Sequence, residues 1–159
     1  MTIAWRTDIT ASDPPRVVRL CEATGFFTPD ESAMAGRLLE TALREGPSAG
    51  YDFVVAADGN EIAGYTCFGL IDGTESAYDL FWIVVDPARQ GGGLGKQLLK
   101  HTEAAIAKAG GTRYYAETSS TDKYEPTRKF YLRAGFKEVA NIADFYRPGD
   151  GKVIYERVI

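Results

Sequence analysis

The run Tyr78–Val85, YDLFWIVV, passes through five residues into a glycine-rich turn and then straight into an amphipathic helix. Nothing else in the chain restricts the fold as strongly. One short connection must accommodate a strand end, Gly91, Gly92, Gly93 and Gly95, and the start of the helix at Gly93–Ala109. Glycines there allow positive φ and a close backbone approach to a ligand. The first N–H groups of the helix lack intrahelical partners, and its dipole is positive at the same end, so the turn favours an anion. A pyrophosphate is expected. A Walker loop would follow its lysine with Ser or Thr, but Lys96 precedes Gln97, so the Mg²⁺-binding hydroxyl is missing. In a dinucleotide-type G-x-G-x-x-G the third glycine would stand where Lys96 does. The competing reading is a structural turn with no ligand.

The remaining pattern is α/β. Thr2–Ile9 reads as a strand, followed by helices over Pro14–Thr24 and Asp30–Arg44, the second opening after Thr28-Pro29 and closing at Gly46-Pro47. Met34, Leu38, Leu39 and Ala42 recur there at helical spacing. Tyr51–Ala57 and Glu61–Ile71 read as strands joined at Asp58-Gly59-Asn60, a hairpin signal. Strand four is Tyr78–Val85, and the helix after the glycines carries Leu94, Leu98, Leu99, Ile106 and Ala109 on one stripe. Arg113–Thr118 is a fifth strand, Pro126–Ala134 a short helix, and Lys137–Tyr146 and Lys152–Ile159 a hairpin turned over Arg147–Gly151.

The segment Gln90-Gly91-Gly92-Gly93-Leu94-Gly95 resembles the Q/R-x-x-G-x-G/A signature of the GNAT superfamily of N-acetyltransferases, with Gln90, Gly93 and Gly95 at its fixed places. Lys129–Phe136, KFYLRAGF, resembles the family's FYxxxGF segment, and the element order βααβββαβαββ is also the family's. The resemblance spans roughly the whole chain, though only Leu80–Leu99 and Lys129–Phe136 are specific. It implies one domain over residues 1–159 with a three-layer αβα fold around a mixed, largely antiparallel sheet of about seven strands. It also implies an acetyl-CoA-dependent enzyme in which a primary amine attacks the thioester directly in a ternary complex, with no metal. By the same resemblance, Gly91, Gly92, Gly93, Leu94, Gly95 and Lys96 cradle the pyrophosphate, with Arg89 and Gln90 beside them. The pantetheine runs along the open edge of strand four on backbone groups of Ile83, Val84 and Val85. Tyr131 occupies the place of a tyrosine that protonates the departing thiolate. Tyr124 stands where many relatives have Asn, so its phenol takes over the amide's coenzyme or substrate contact, or that contact is lost.

An amine with pKa near ~10.4 must lose a proton before it attacks. Asp79 lies eleven residues before Gln90, the offset of the general-base glutamate in the histone-acetylating branch of the family. Glu117 on the fifth strand is the second candidate, and a water relay or an acceptor bound neutral is the third. Tyr131 also has a structural reading, because Thr127, Phe130, Tyr131 and Ala134 share a helix face. The acceptor is not legible: a small amine, an amino acid, an antibiotic or a protein amine all fit. Phe26, Phe27, Tyr65, Phe81, Trp82 and Tyr124 are aromatic candidates for its pocket, with core packing as the alternative.

With 159 residues and a formal charge of −4, the chain has no global attraction for nucleic acid or an anionic membrane. No apolar run nears the ~18 residues of a span, and the first residues show no secretory pattern, so a cytoplasmic monomer or homodimer is expected. Cys21 and Cys67 are too few for a disulfide framework or a zinc site. They read as core residues, and acyl transfer through Cys67 has no base to support it. His101 is the only histidine, which argues against a metal centre or a Ser-His-Asp triad. Arg128 and Lys129 are weaker phosphate candidates than Arg89 and Lys96. Outside catalysis, the alternatives are a non-catalytic acyl-CoA-binding or sensing module and, less favoured, an ATP-binding domain.

Overall fold

Local signals set the elements. In the computed structural model, which describes residues 2–159, helix α1 (Asp13–Thr24) starts with proline in its first turn and stops at Gly25 in the left-handed region. Helix α2 (Pro29–Glu45) opens on a reciprocal capping box. The Glu31 N–H donates to Thr28 Oγ1 at 3.1 Å and the Thr28 N–H to Glu31 Oε1 at 2.9 Å. Helices α3 (Leu94–Lys108) and α4 (Glu125–Arg133) follow. The strands are β1 (Ala4–Arg6), β2 (Asp52–Asp58), β3 (Glu61–Leu70), β4 (Ala77–Val85), β5 (Arg113–Ser119), β6 (Lys137–Arg147) and β7 (Asp150–Val158). They form a seven-stranded mixed sheet in the order β1-β2-β3-β4-β5-β7-β6. β4 and β5 run parallel, and β1–β2, β2–β3, β5–β7 and β6–β7 antiparallel. The expected α/β class with a largely antiparallel sheet is what the chain adopts.

The chain divides into two compact units, each assembled from two stretches: residues up to Gly69 with Trp82–Ala104, and Leu70–Phe81 with Ala105–Ile159. In the first, Val17, Cys21 and Leu39 of α1 and α2 pack on one sheet face made by Phe53, Val55, Tyr65 and Cys67. Val54 and Thr66 are register partners, so they share the opposite face. There the Thr66 and Thr102 hydroxyls meet at 2.7 Å, both fully buried beneath α3. Asp13 is also fully buried. Burial pushes its carboxyl up, but the Arg6 guanidinium, bound through two contacts of 2.7 and 2.8 Å, and the Thr10 amide outweigh it and hold the group below the ordinary carboxylate value.

In the second unit, Tyr131 of α4 packs against Phe136 and Tyr155, with ring centroids 5.1 and 5.8 Å away. Tyr114 of β5 meets Phe136 at 4.9 Å. Alternation along β5 and β7 then puts Arg113, Tyr115, Glu117, Lys152 and Glu156 on the other face.

Three expectations are corrected. The strand expected over Thr2–Ile9 is three residues long, because its ladder with β2 stops at Arg6, whose side chain turns to Asp13 and the Asp8 carbonyl. Met34 is 45% exposed, and the buried line of α2 runs instead through Ser32, Ala35, Gly36 and Leu39, with Gly36 admitting Val18 of α1. Ala109 is exposed, since α3 ends at Lys108. No helix among the described residues is long and apolar enough to cross a membrane.

Candidate active site

The glycine turn is built by the chain immediately before it. Leaving β4, the Asp86 N–H donates to the Ala63 carbonyl at 2.9 Å, and the Asp86 carboxylate accepts from the Ala88 N–H at 3.0 Å, closing a short turn over Pro87–Arg89. Gly91 and Gly93 then take φ of +85° and +82°. Helix α3 begins there, with the Gln97 N–H donating to the Gly93 carbonyl at 3.0 Å. The amides upstream of Gln97 therefore sit at the positive end of a 15-residue helix. Gly91, Gly92 and Gly93 are exposed, as is Lys96, whereas Leu94 is buried and anchors the turn. The Gln90 carboxamide makes a long contact to the Val85 carbonyl, 3.5 Å. Arg89 is only 18% exposed and ion-paired with Asp58, while its Nε lies 3.7 Å from Asp86. Its guanidinium thus braces the turn from within.

Residues Ile83, Val84 and Val85 lie at the end of β4. A Cβ on Gly64 would fall 3.0 Å from the Val84 carbonyl oxygen and 2.9 Å from Leu98 Cδ1. Only glycine lets β3, this part of β4 and α3 approach so closely; Gly64 escaped a reading of the sequence, and the signal that could have found it is a glycine inside a strand.

In the second unit, β4 pairs with β5 over Ala77–Asp79 and Arg113–Tyr115. Asp79 is the last paired residue of β4, opposite Tyr115, and so lies on the polar face with Glu117 two residues farther along β5. Three carboxylates share that face, and their partners differ. Glu156 accepts from the Tyr115 hydroxyl at 2.6 Å and pairs with Arg113 at 3.4 Å. Glu117 pairs with Lys152 at 2.9 Å. Asp79 has no ion-pair partner among the described residues. Partial burial pushes its carboxyl up, the Glu117 charge adds to that, and Lys152 opposes it.

Tyr131 is buried, and desolvation drives its phenol well above the ordinary tyrosine value. Its hydroxyl has no hydrogen-bond partner among the described residues. The group stays protonated and retains a donor hydrogen. Of its helix face, Thr127, Phe130 and Ala134 are half-buried. Tyr124 is half-buried just before α4, with the Lys123 ammonium 6.0 Å from its ring centre. Arg128 donates to the Ser119 and Thr121 carbonyls at 2.8 Å each, tying β5 to α4, and Lys129 pairs with Glu125 at 3.0 Å.

Among the proposed pocket aromatics, Tyr65 is corrected to a core residue, fully buried beneath α1 and α2, while Phe27 packs on Trp82 at 5.0 Å. Both cysteines are buried, and burial pushes the Cys21 thiol up to about 11 and Cys67 higher still, so neither is a ready nucleophile. His101 is exposed and stacks on Trp5 at 3.9 Å. No group of three metal-ligating side chains occurs among the described residues. Lys152 escapes a reading of the sequence, because its partner Glu117 is 35 residues away and only the β5–β7 register brings them together.

A family model for the acetyltransferase (GNAT) domain matches residues 49–138, which hold β2 to α4 and the glycine turn. No curated protein matches the chain. Among solved structures, a GNAT-family protein from Desulfovibrio desulfuricans is 43% identical, with 99% of each chain covered and a TM-score of 0.96. An aminoglycoside 6′-N-acetyltransferase complexed with coenzyme A is 18% identical, with 99% of this chain and 97% of that one covered and a TM-score of 0.77. The ribosomal-protein alanine N-acetyltransferase of Escherichia coli is 18% identical, with coverages of 99% and 94% and a TM-score of 0.74. The two distant structures share the fold, whereas the domain match and the 43% identical relative carry membership: the chain belongs to the GNAT family of acetyltransferases.

Proposed function

We propose that the chain is an acetyl-CoA-dependent N-acetyltransferase acting on a primary amine by direct attack, with the turn Gly91–Lys96 as its pyrophosphate cradle. The observation that carries the reading is the β4–turn–α3 connection, in which Gly91 and Gly93 adopt positive φ at the positive end of α3. The coenzyme A complex of a distant relative with the same fold supports the choice of ligand. Arg89 and Gln90 support the cradle and Lys96 offers it a charge. Backbone groups of Ile83, Val84 and Val85 receive the pantetheine, and the Tyr124 phenol replaces the missing amide contact. A cytoplasmic monomer or homodimer fits this reading, and the two buried thiols are compatible with a reducing compartment.

The amine nitrogen bonds to the thioester carbonyl carbon and the C–S bond breaks. Starting from the ammonium, one proton leaves nitrogen before attack and a second as the amide forms; the thiolate takes up one and the other is released to solvent. Asp79 is the carboxylate suited to the first, because Glu117 and Glu156 are held by cations and Asp79 is not. Tyr131 is the residue offered for protonating the thiolate: its phenol holds a donor hydrogen that no neighbour takes, and burial, by raising the group, makes it a weaker acid and keeps its expected contribution small. Tyr131→Phe is expected to lower kcat on the order of 10–100-fold, below the full range of general acid catalysis because a thiolate leaves readily, with coenzyme Kd unchanged. An unchanged kcat in a variant that is not limited by product release would assign the proton to water.

Incubation with acetyl-CoA and a panel of amines, scored by release of free thiol, tests the whole reading. Acetyl-CoA should also raise the melting temperature without Mg²⁺. At a hundredfold excess over Kd the gain is about 2.7 kcal/mol, a shift of several degrees for a chain of this size. A larger shift with ATP and Mg²⁺ would sink the assignment. Stabilisation by acetyl-CoA with no thiol release from any amine would point to a binding module.

A further inference from the structure

Lys152 is placed with more care than a surface lysine requires. It is only 17% exposed, its Nζ lies 2.9 Å from Glu117 Oε2, and the same Nζ sits 4.4 Å from the centre of the Phe145 ring. Phe145 belongs to an unusual part of β6. The β6–β7 register jumps from Ile142–Lys152 to Arg147–Asp150, so Ala143–Tyr146 bulge out of the ladder, with Asp144 in the left-handed region and its carboxylate accepting from the Gly149 N–H at 2.7 Å. The bulge delivers an aromatic face to the ammonium, an attraction in its own right. Lys152 is therefore held by both a carboxylate and a ring.

We propose that Lys152, braced by Phe145, is a positioning residue for acetyl transfer: it neutralises Glu117 and so reserves Asp79 as the carboxylate on this face that takes the amine's proton. The inference rests on the reading of Asp79 as the base. The groups that face Asp79 are Tyr115 and Glu117 from β5 and Lys152 from β7, with Glu156 and Arg113 already committed to each other. Tyr146 of β6 feels the charges of Lys152, Glu117 and Asp150. Without Lys152, a bare Glu117 would share the face with Asp79, and two like charges there compete for one proton. With it, the two carboxylates have separate tasks, one held ionised by its partner and one able to cycle.

The test is a carboxyl-carbon NMR titration of Asp79 in the full chain without ligand, comparing wild type with Lys152→Met, Lys152→Arg and Lys152→Met combined with Glu117→Gln. Lys152→Met should raise the Asp79 midpoint, tightening proton binding about threefold to tenfold. Lys152→Arg should restore the wild-type midpoint, and the double variant should return toward it. An unmoved midpoint in Lys152→Met with a native amide spectrum overturns the proposal, and so does a double variant that keeps the Lys152→Met value. Should Lys152→Met not fold, Lys152→Gln makes the same comparison. A midpoint that moves as expected, with Asp79→Asn leaving the pH profile of turnover intact, would defeat the base reading and with it the catalytic task given to Lys152.

Discussion

Replacing Asp79 by Asn is expected to lower kcat/KM by about 10²–10⁴ and to erase the acidic limb of its pH profile. The amide keeps the shape of the carboxylate and removes its ability to accept a proton. In the native chain, turnover should fall as acid protonates Asp79. That limb should be shifted upward from the ordinary aspartate value, because partial burial and the Glu117 charge both raise the group against the opposing pull of Lys152. Glu117→Gln should leave a limb in place but move it to lower pH, since a like charge has gone. Stability separates catalysis from damage. A carboxyl raised in the folded state binds its proton more tightly there than in the unfolded chain, so it costs stability as pH rises through the unfolded value. Asn removes that cost, and the melting temperature at neutral pH should not fall. An Asp79→Asn enzyme with near wild-type turnover and an unchanged profile would make Glu117 or a water relay the leading base.

The elements were legible because their signals are local. Thr28-Pro29 marked the start of α2, and Asp58-Gly59-Asn60 marked the β2–β3 hairpin. The glycine turn was legible for the same reason, being contained in one stretch of chain. What depended on partners far away in sequence was not. The Lys152–Glu117 pair exists only through the β5–β7 ladder. The Ala143–Tyr146 bulge was hidden because a bulge changes the register of a strand without changing its composition. Arg89 shows the same limit. Its position beside the glycines suggested a phosphate ligand, and the fold gives it Asp58, 31 residues upstream, as an ion-pair partner.

Gly93→Val is expected to abolish the stabilisation by acetyl-CoA, while Gly93→Asn should keep a part of it. Two demands meet at this residue, and the pair of variants separates them. The first is conformational: φ is +82°, where a β-branched side chain is strained by about 1–3 kcal/mol and Asn is tolerated far better. The second is access, because a side chain at the mouth of the turn intrudes on the space through which its amides meet a phosphate. Within the unliganded fold nothing lies within 4 Å of a Cβ placed there, so Val should disturb the apo protein only through backbone strain. A loss of the acetyl-CoA shift that exceeds the apo destabilisation, and a weakening of Kd on the order of a hundredfold or more, would mark Gly93 as part of the coenzyme cradle. If Gly93→Asn binds like wild type, conformation alone fixed the glycine. If Asn loses as much as Val, close approach of the ligand fixed it. Full acetyl-CoA affinity in Gly93→Val would remove the turn from the binding site altogether and leave the pyrophosphate to be held elsewhere in the chain.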